Sequence, residues 1–240
     1  MQTWGDDDSA LFLRFGRAFT PHWEELRAAF AALIPSAPAG APTVCVDAGS
    51  GSGWLSETML RALPHALLIA VDGSQAMLEA TRRRVGTASA QLETRRCDLQ
   101  DLSWLDALPD GLHCIASSLA LHHLNDEQKQ LLYQAAFTKL QRGGALLIAD
   151  LVQPLSELER ELFASSWEGA VQLQSVAEFG DARAWEAFQQ QRWNHYRFPD
   201  PIDIPATLPD MLAWLAQAGF IGVDVFWAHA GHALVGGFKP

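Results

Sequence analysis

Cationic side chains are scarce in this chain of 240 residues: 17 Lys and Arg stand against 28 Asp and Glu, and the formal net charge at pH 7 is −11. Proteins that bind a phosphate backbone depend on clustered Lys and Arg. The basic runs here are short, at residues 82–84 and 95–96, and we interpret the first as the solvated face of a helix. We therefore expect no nucleic-acid partner.

Long apolar runs are missing as well. No stretch approaches the roughly 18 consecutive apolar residues of a membrane-spanning helix, although 49% of the residues are apolar, which is enough for a substantial core. Acidic residues occupy positions 6–8, whereas a secretory signal begins with a basic region. The sequence favours a cytoplasmic protein with no membrane partner.

Cysteine is rare, and Cys45, Cys97 and Cys114 are widely spaced within strand-like segments. Their number is odd and no CxxC pair occurs, so we expect reduced, buried thiols of a cytoplasmic protein. His229 and His232 share one turn, but two ligands without a third do not make a metal site. We therefore expect no bound metal.

A regular alternation of strand-like and helix-like segments is what the chain does contain. Strands are predicted at residues 43–47, 67–72, 91–97, 112–117 and 145–150, and helices at 54–62, 75–85 and 127–140. This alternation is typical of a parallel sheet with helices on both faces. The strand at 91–97 is the most polar, so we expect it near an edge, and Asn125 with Gln128 resembles a capping box.

The remainder of the chain departs from this alternation. A long helix is predicted to begin at Ser156 and a second to span 181–193, before prolines break the run. A closing helix ends at Gly219, and a β-hairpin follows at 223–227 and 232–238. We predict a single domain over residues 1–240, divided into an N-terminal helical segment (1–42), a core (43–152), a helical insertion or lid (154–205), and a final helix with a hairpin (207–239).

The most informative segment, residues 44–55, reads V-C-V-D-A-G-S-G-S-G-W-L. Dinucleotide-binding folds use G-x-G-x-x-G, whose third glycine allows a helix to pack closely on a strand. Here Gly49, Gly51 and Gly53 are spaced two apart, and Trp54 fills the place of that third glycine. Asp47 precedes the turn, where its charge would repel a pyrophosphate but suit a cationic ligand.

Further polar residues follow the other predicted strands. In a doubly wound sheet, ligands lie beyond the carboxyl ends of the strands. Asp72 ends the second strand, and its two oxygens can accept from both hydroxyls of a ribose. Asp98, which follows the third strand, can accept from an adenine amino group, with Leu99 beside it. Ser117 and Ser118 end the fourth strand and would flank the ligand from the other side.

The order D-x-G-x-G-x-G resembles motif I of the class I S-adenosylmethionine (SAM) dependent methyltransferases of small molecules. Residues 71–78 look like the second motif of that family and 96–99 like the third, while 119–124 resemble the segment after its fourth strand. The resemblance covers 43–152 and extends to 207–239, but is silent on 1–42 and 154–205.

The resemblance implies an α/β fold: a doubly wound, mostly parallel seven-stranded Rossmann-like sheet with an antiparallel C-terminal strand and a helical insertion. It implies SAM as the cofactor and S-adenosylhomocysteine (SAH) as its product. The predicted cofactor-binding residues are Asp47, Gly49, Gly51, Gly53, Asp72, Gly73, Met77, Asp98, Leu99, Ser117 and Ser118.

Methyl transfer needs a nucleophile aligned opposite the leaving sulfur, so proximity and orientation supply much of the acceleration. A phenol, amine or acid also needs a base, whereas a carbanion-like or thiolate acceptor need not have one. No universal catalytic residue is therefore expected. The candidates for a catalytic role are His123, His195 and Tyr196.

The acceptor pocket is predicted to be capped by the N-terminal segment and the insertion. Residues 192–197 combine aromatic rings, an imidazole and two guanidinium groups next to a proline-rich break, and an arginine there can pair with an acidic substrate. The predicted substrate-binding residues are Phe19, Trp23, His122, Arg192 and Arg197.

The net acidity favours a small-molecule acceptor, while a protein acceptor stays open. Three other functions also remain: a SAM-using enzyme that does not transfer the methyl group, a SAM-binding partner protein without turnover, and an oxidoreductase, against which Trp54 argues. An apolar insertion is compatible with a homodimer, although nothing in the sequence requires one.

Overall fold

The computed structural model describes residues 6–36 and 43–240; residues 1–5 and 37–42 of the predicted N-terminal segment lie outside the described residues. The described residues contain seven strands: β1 Val44–Ala48, β2 Leu67–Asp72, β3 Leu92–Arg96, β4 Leu112–Ser118, β5 Leu140–Leu151, β6 Ile221–His229 and β7 His232–Phe238. They form one sheet in the order β3-β2-β1-β4-β5-β7-β6.

The first five strands run parallel, and β7 lies antiparallel to both β5 and β6. This confirms the predicted fold class, including the antiparallel C-terminal strand, and β3 occupies the edge that its polarity predicts. β5 begins five residues earlier than predicted because Leu140 already pairs with Leu112, ahead of a register shift. The chain crosses over from β3 to β4, so the strand order reverses between β1 and β4, where ligands of such sheets bind.

Eight helices accompany the sheet in the described residues: α1 Asp6–Phe19, α2 Trp23–Leu33, α3 Trp54–Ala62, α4 Gln75–Val85, α5 Asp126–Lys139, α6 Glu157–Phe179, α7 Arg183–Gln190 and α8 Leu208–Ala218. Their ends follow the local sequence. Asn125 and Gln128 form the predicted capping box of α5. Gly219 ends α8 in the left-handed region with φ +105°. α7 is shorter than predicted, and Arg192 after it has a φ of +51°.

The core lies on both faces of the sheet, because successive residues of a strand point to opposite faces. Val46 belongs to the cluster that α5 and α8 cover, whereas its neighbour Cys45 belongs to the cluster under α2 and α3. A third cluster joins α1 to α6 and α7 through Phe19, Trp167 and Phe188. The helices of the 154–205 segment therefore pack on the N-terminal helix.

The three thiols have two different environments. Cys45 and Cys114 are buried partners in the register of β1 and β4, and burial raises the pKa of Cys45 to about 12. The expected burial is wrong for Cys97, which follows the edge strand and is half-buried. Burial and the neighbouring aspartates still raise the pKa of Cys97 to about 11.

Within residues 6–36 and 43–240, no helix has the length and apolar composition needed to cross a bilayer.

Candidate active site

A cavity of about 740 Å³ opens at the carboxyl ends of β1, β2 and β4. Its walls come from the glycine turn, from the segments that follow β2, β3 and β4, and from two outlying parts of the chain, α1 and Ile202. Eight predicted cofactor residues line it: Gly49, Gly51, Asp72, Gly73, Met77, Asp98, Leu99 and Ser118. These eight residues come from the glycine turn and from the segments after β2, β3 and β4.

The glycine turn is shaped by close approach as well as by its backbone angles. Gly49 has a φ of +75°, and a Cβ at this position would lie 2.2 Å from the Cβ of Ala120. Gly51 has a φ of +51°, and its N–H donates to Oδ2 of Asp72 at 2.8 Å. Both residues lie in the left-handed region that favours glycine. The turn thus brings backbone to the cavity wall and joins the ends of β1 and β2.

Gly53 supports the turn from behind and does not line the cavity. A Cβ on Gly53 would lie 2.6 Å from Cα of Thr81 in α4, so only glycine allows this approach. Thr81 in turn donates through Oγ1 to the carbonyl of Gly51 at 3.1 Å. The role of Gly53 is therefore helix packing, one residue earlier than the corresponding glycine of dinucleotide folds.

Asp72 is held with its carboxylate at the cavity wall. Oδ1 accepts from the N–H of Ser74 and Oδ2 from that of Gly51, both at 2.8 Å. Burial raises the pKa of Asp72 against the effect of these two donors. Each carboxylate oxygen has a second acceptor position, so the residue retains the capacity to bind two further donors from the cavity.

Asp47 and Ser117, which the sequence predicts to contact the cofactor, are not among the residues that line the cavity. Asp47 precedes the last residue of β1, so its side chain still follows the pleat and turns towards α3, where Oδ2 accepts from Ser56 at 2.6 Å. Its Oδ1 is buried and has no hydrogen-bond partner among the described residues. Ser117 donates to the carbonyl of Ala48 at 2.7 Å. Asp47 can therefore act on a ligand only through its charge.

Burial raises the pKa of Asp47 to about 7, and repulsion from Asp72 acts in the same direction. The hydrogen bond from Ser56 opposes this shift. A cation in the nearby cavity would favour the charged form of Asp47 and oppose this shift.

The far end of the cavity carries the predicted adenine contacts. Met77 is buried, Leu99 is half-buried and Asp98 is exposed. Asp98 accepts from the N–H of Gln100 at 2.9 Å, which fixes its loop. Cys97 also lines this end, which sequence analysis missed because its strand-like surroundings predicted burial.

A cluster of imidazoles and carboxylates lies beside the cavity, and we call it the His–Asp cluster: His122, His123, Asp150, His195 and Asp203. His122 and His123 belong to a short 3-10 turn, Leu121–His123, after β4. Nδ1 of His122 and Oδ1 of Asp150 are 2.5 Å apart and buried. His123 lines the cavity, and its Nδ1 lies 3.2 Å from Oδ1 of Asp203.

His195 joins this cluster through Asp203 and not through the cavity: its Nδ1 lies 3.4 Å from Oδ2 of Asp203. Burial would raise the pKa of Asp203, but the facing imidazoles of His123 and His195 outweigh it and lower that pKa. Likewise, burial lowers the pKa of His122 less than Asp150 raises it. Sequence analysis missed both carboxylates, although Asp150 lies one residue before the end of β5.

The segment 192–197, which the sequence predicts to bind the acceptor, does not line the cavity. Arg197 pairs with Glu161 and Glu168 of α6, and the Arg192 guanidinium lies over the ring of Phe198 at 5.2 Å. Tyr196, predicted to be catalytic, is buried with its hydroxyl 2.5 Å from the Gly231 carbonyl and 3.0 Å from that of Val152. Ion pairs of Arg197, the cation–π contact of Arg192 and the hydrogen bond of the Tyr196 hydroxyl hold this segment against its neighbours.

The N-terminal helix reaches the cavity through Ser9 and Phe12. Phe19, predicted to bind substrate, lies seven residues further along α1, or about 10 Å at 1.5 Å per residue, and packs on Phe188. Trp23 packs on Trp54 and lines a separate cavity of about 180 Å³. The N-terminal helix thus lines the cavity with Ser9 and Phe12, whereas the predicted residues Phe19 and Trp23 lie outside it.

We expect Tyr196→Phe to destabilise the fold by about 1–3 kcal/mol, because buried carbonyl groups lose their hydrogen-bond donor. For a domain of this size that corresponds to a Tm lowered by roughly 2–12 °C. Tyr133→Phe is the matched control, since the Tyr133 hydroxyl is buried without a hydrogen-bond partner among the described residues. Thermal unfolding of both variants checks this; equal losses in Tm would refute a structural role specific to the Tyr196 hydroxyl.

Residues 45–144 match a protein-family model described as a methyltransferase domain. The malonyl-[acyl-carrier protein] O-methyltransferase of Herminiimonas arsenicoxydans is 33% identical over 160 residues, which are 64% of this chain and 56% of that protein. The carboxy-S-adenosyl-L-methionine synthase of Helicobacter hepaticus is 21% identical over 217 residues, 88% of this chain and 84% of that protein. The chain thus spans about half the length of the malonyl-[acyl-carrier protein] O-methyltransferases that it matches.

Among solved structures, PigF with SAH superposes with a TM-score of 0.60 at 20% identity, over 98% of this chain and 60% of that chain. At this identity the likeness concerns the fold. The family model covers the strands and turns that build most of the cavity wall, and the sheet has the seven-stranded order with a reversed β7. Residues 45–144 are therefore similar to a methyltransferase domain, and the sheet has the fold of the class I S-adenosylmethionine-dependent methyltransferases.

Proposed function

We propose that the protein transfers the methyl group of SAM to a small-molecule acceptor bound in the 740 Å³ cavity. One observation carries the proposal: the glycine turn, the Asp72 carboxylate and the Met77–Leu99 end share this cavity with His123 and Phe12. A single space therefore offers both a nucleoside-binding wall and a wall for a second molecule.

The residues present fit the cofactor. Small-molecule sites have volumes of about 300–1,000 Å³, and this cavity lies within that range. Asp72 keeps two acceptor positions for the hydroxyls of a ribose, and Met77 and Leu99 offer apolar contact to a base. The unpaired, buried Oδ1 of Asp47 supplies negative charge behind the turn, which suits a sulfonium and an ammonium group.

When bound, SAM supplies a methyl group that is already activated by its positive sulfur. The chain contributes position: the apolar side chains of Phe12 and Ile202 and the imidazole of His123 line the same cavity as the glycine turn. Orientation of this kind accounts for a large part of the acceleration in transfer between two bound molecules. Of the three residues predicted to be catalytic, we retain only His123 as a residue that contacts the acceptor.

A second candidate function is modification of the cofactor itself. The carboxy-S-adenosyl-L-methionine synthase relative aligns over most of both chains, at 21% identity. The similarity between the two sequences is therefore low, but it extends over most of their length. Mass spectrometry of the nucleoside that copurifies with the protein separates the two functions: a carboxylated sulfonium nucleoside supports this second function, whereas SAM or SAH supports methyl transfer.

Two measurements test the proposal. Calorimetric titration with SAM, SAH and NADH should show binding of the first two and none of NADH. Incubation of the protein with methyl-labelled SAM and a cell extract should then place label in the small-molecule fraction, with heat-inactivated protein as the control. Label in macromolecules alone would refute the small-molecule acceptor, and binding of NADH in place of SAM would refute the cofactor.

We expect Asp72→Asn to weaken SAM and SAH binding roughly 10- to 100-fold. The variant keeps the shape of the side chain but loses charge-assisted hydrogen bonds of about 1.5–3 kcal/mol. Asp224→Asn, at an exposed position of β6, is the matched control and should leave both affinities unchanged. Calorimetry measures both variants, and an unaltered dissociation constant for Asp72→Asn would exclude Asp72 from the nucleoside site.

A further inference from the structure

Three side chains of the His–Asp cluster direct ligand atoms towards one point beside the cavity. Nε2 of His122 lies 3.6 Å from Oδ1 of Asp203, and Nδ1 of His123 lies 3.2 Å from the same oxygen. All three ligand atoms lie within 4.8 Å of one another. We propose that His122, His123 and Asp203 bind a divalent transition-metal ion at the wall of the cavity.

The separations between these atoms match those around a tetrahedral ion. Zinc binds nitrogen and oxygen ligands at about 2.0–2.1 Å, which places neighbouring ligand atoms of a tetrahedron roughly 3.3 Å apart. The two measured separations, 3.2 and 3.6 Å, lie on either side of this value. The two imidazole nitrogens lie within 4.8 Å of each other, so they would have to approach by at most about 1.5 Å to complete the set.

Asp150 sets the orientation of His122. Nδ1 of His122 is hydrogen-bonded to Oδ1 of Asp150 at 2.5 Å, and a neutral imidazole that donates from one nitrogen presents a lone pair at the other. An ion that displaces the proton of Nε2 would meet this lone pair next to the Asp203 carboxylate, 3.6 Å away. Metal-binding histidines almost always donate their second nitrogen to a carboxylate, carbonyl or water in this way.

The second oxygen of Asp203 is positioned as well. It faces Nδ1 of His195 at 3.4 Å, an atom that is buried and has no hydrogen-bond partner among the described residues. A metal on Oδ1 would fix the carboxylate and bring Oδ2 into hydrogen-bonding position for His195. Asp150 and His195 are thus positioning residues for the three ligands.

The ligand types indicate which ions would bind. Two imidazoles and one carboxylate suit zinc, cobalt, nickel or iron(II), whereas calcium and magnesium require oxygen ligands. Because His123 lines the cavity, a fourth coordination position would open there. If the proposed function holds, an oxygen of the acceptor would occupy that position; binding of the ion itself does not depend on it.

The experiment measures metal binding by the full chain in the absence of SAM and acceptor. Protein stripped with a chelator is titrated with cobalt(II) at pH 8, followed by visible absorption, and zinc is added in competition. Elemental analysis after gel filtration gives the stoichiometry. We expect one ion per chain and the visible bands of low-coordinate cobalt. Asp203→Asn and His123→Gln should each weaken binding at least 100-fold, and Asp150→Asn about 10- to 100-fold.

The matched control is His229→Gln. His22, Glu25 and His229 form an exposed group that could also hold an ion. If the ion binds at His122, His123 and Asp203 instead, His229→Gln should bind cobalt as the native protein does. Calorimetric binding of SAM to Asp203→Asn shows that the variant is folded. No stoichiometric cobalt or zinc binding, or equal binding by Asp203→Asn, would overturn the proposal. An intense thiolate-to-cobalt band would assign the ion to Cys97 and also overturn it. Native protein that binds SAM but no metal refutes the metal site alone, and the converse refutes the proposed function alone.

Discussion

Gly49→Ala should lower the free energy of unfolding by about 2–5 kcal/mol and abolish detectable binding of SAM. A side chain in the left-handed region costs roughly 1–2 kcal/mol, and overpacking adds about 1–3 kcal/mol. The new Cβ would lie 2.2 Å from the Cβ of Ala120 and 3.3 Å from Cδ1 of Leu99. Both neighbours line the cavity, so the relief of this clash must change its shape.

Gly180→Ala separates the two contributions to that loss. Gly180 has the same φ of +75° as Gly49, but nothing lies within 4 Å of an added Cβ. It therefore carries the backbone cost of roughly 1–2 kcal/mol alone, and SAM binding should persist. Urea unfolding and calorimetry of both variants measure the difference, and equal destabilisation with retained SAM binding would contradict a steric role for Gly49.

The contrast between Asp72 and Asp47 shows how far sequence predicts this site. Both aspartates follow apolar runs, and the alternation of elements predicts correctly that β1 and β2 end at one edge of the sheet. Asp72 is the last residue of β2, whereas Asp47 precedes the last residue of β1. That single position decides whether a side chain reaches the cavity or follows the pleat under α3. Propensity and periodicity cannot locate the end of a strand to within one residue.

The His–Asp cluster illustrates a second limit. His122 and His123 are evident candidates because they follow a strand near the glycine turn. Their partners are not evident, since Asp203 lies about 80 positions later in a proline-rich segment. Only the packing of that segment on the sheet brings Ile202 to the cavity and Asp203 to the imidazoles. The composition of residues 192–197 predicts that Tyr196 and Arg197 contact the acceptor. In the structure, neighbouring residues form hydrogen bonds and ion pairs with their polar groups.

Asp47→Asn should change the pH dependence of stability more than any other substitution of a carboxylate at this site. The pKa of Asp47 is about 7 in the folded protein, whereas an unfolded chain has an Asp pKa of about 3.9. Between these values the folded protein holds a proton that the unfolded chain has released. The contribution of Asp47 to stability is therefore greatest below pH 4 and falls as the pH rises to 7.

Asparagine cannot ionise, so the variant lacks this loss. At about 1.4 kcal/mol per pKa unit, the free energy of unfolding of Asp47→Asn relative to the native protein should rise by up to about 4 kcal/mol between pH 4 and pH 8. Carboxylates that do not interact with Asp47 cancel in the difference. Urea unfolding across this range measures it, with Asp224→Asn as a control whose difference should stay flat. A flat difference for Asp47→Asn as well would mean that Asp47 is not perturbed.

The ionised form of Asp47 lowers stability, but it should strengthen the binding of SAM. A cationic ligand favours the ionised form of Asp47 and so lowers its pKa, because opposite charges stabilise each other. The native affinity for SAM should therefore increase from pH 6 to pH 8, as the fraction of ionised Asp47 rises. Asp47→Asn should bind SAM more weakly at pH 8 and with less dependence on pH. Calorimetry at both pH values tests this. If the affinities of the two proteins change in parallel with pH, the charge behind the glycine turn does not act on the cofactor. If the affinities converge at pH 6, the ionised Asp47, which lowers stability, contributes to the binding of SAM.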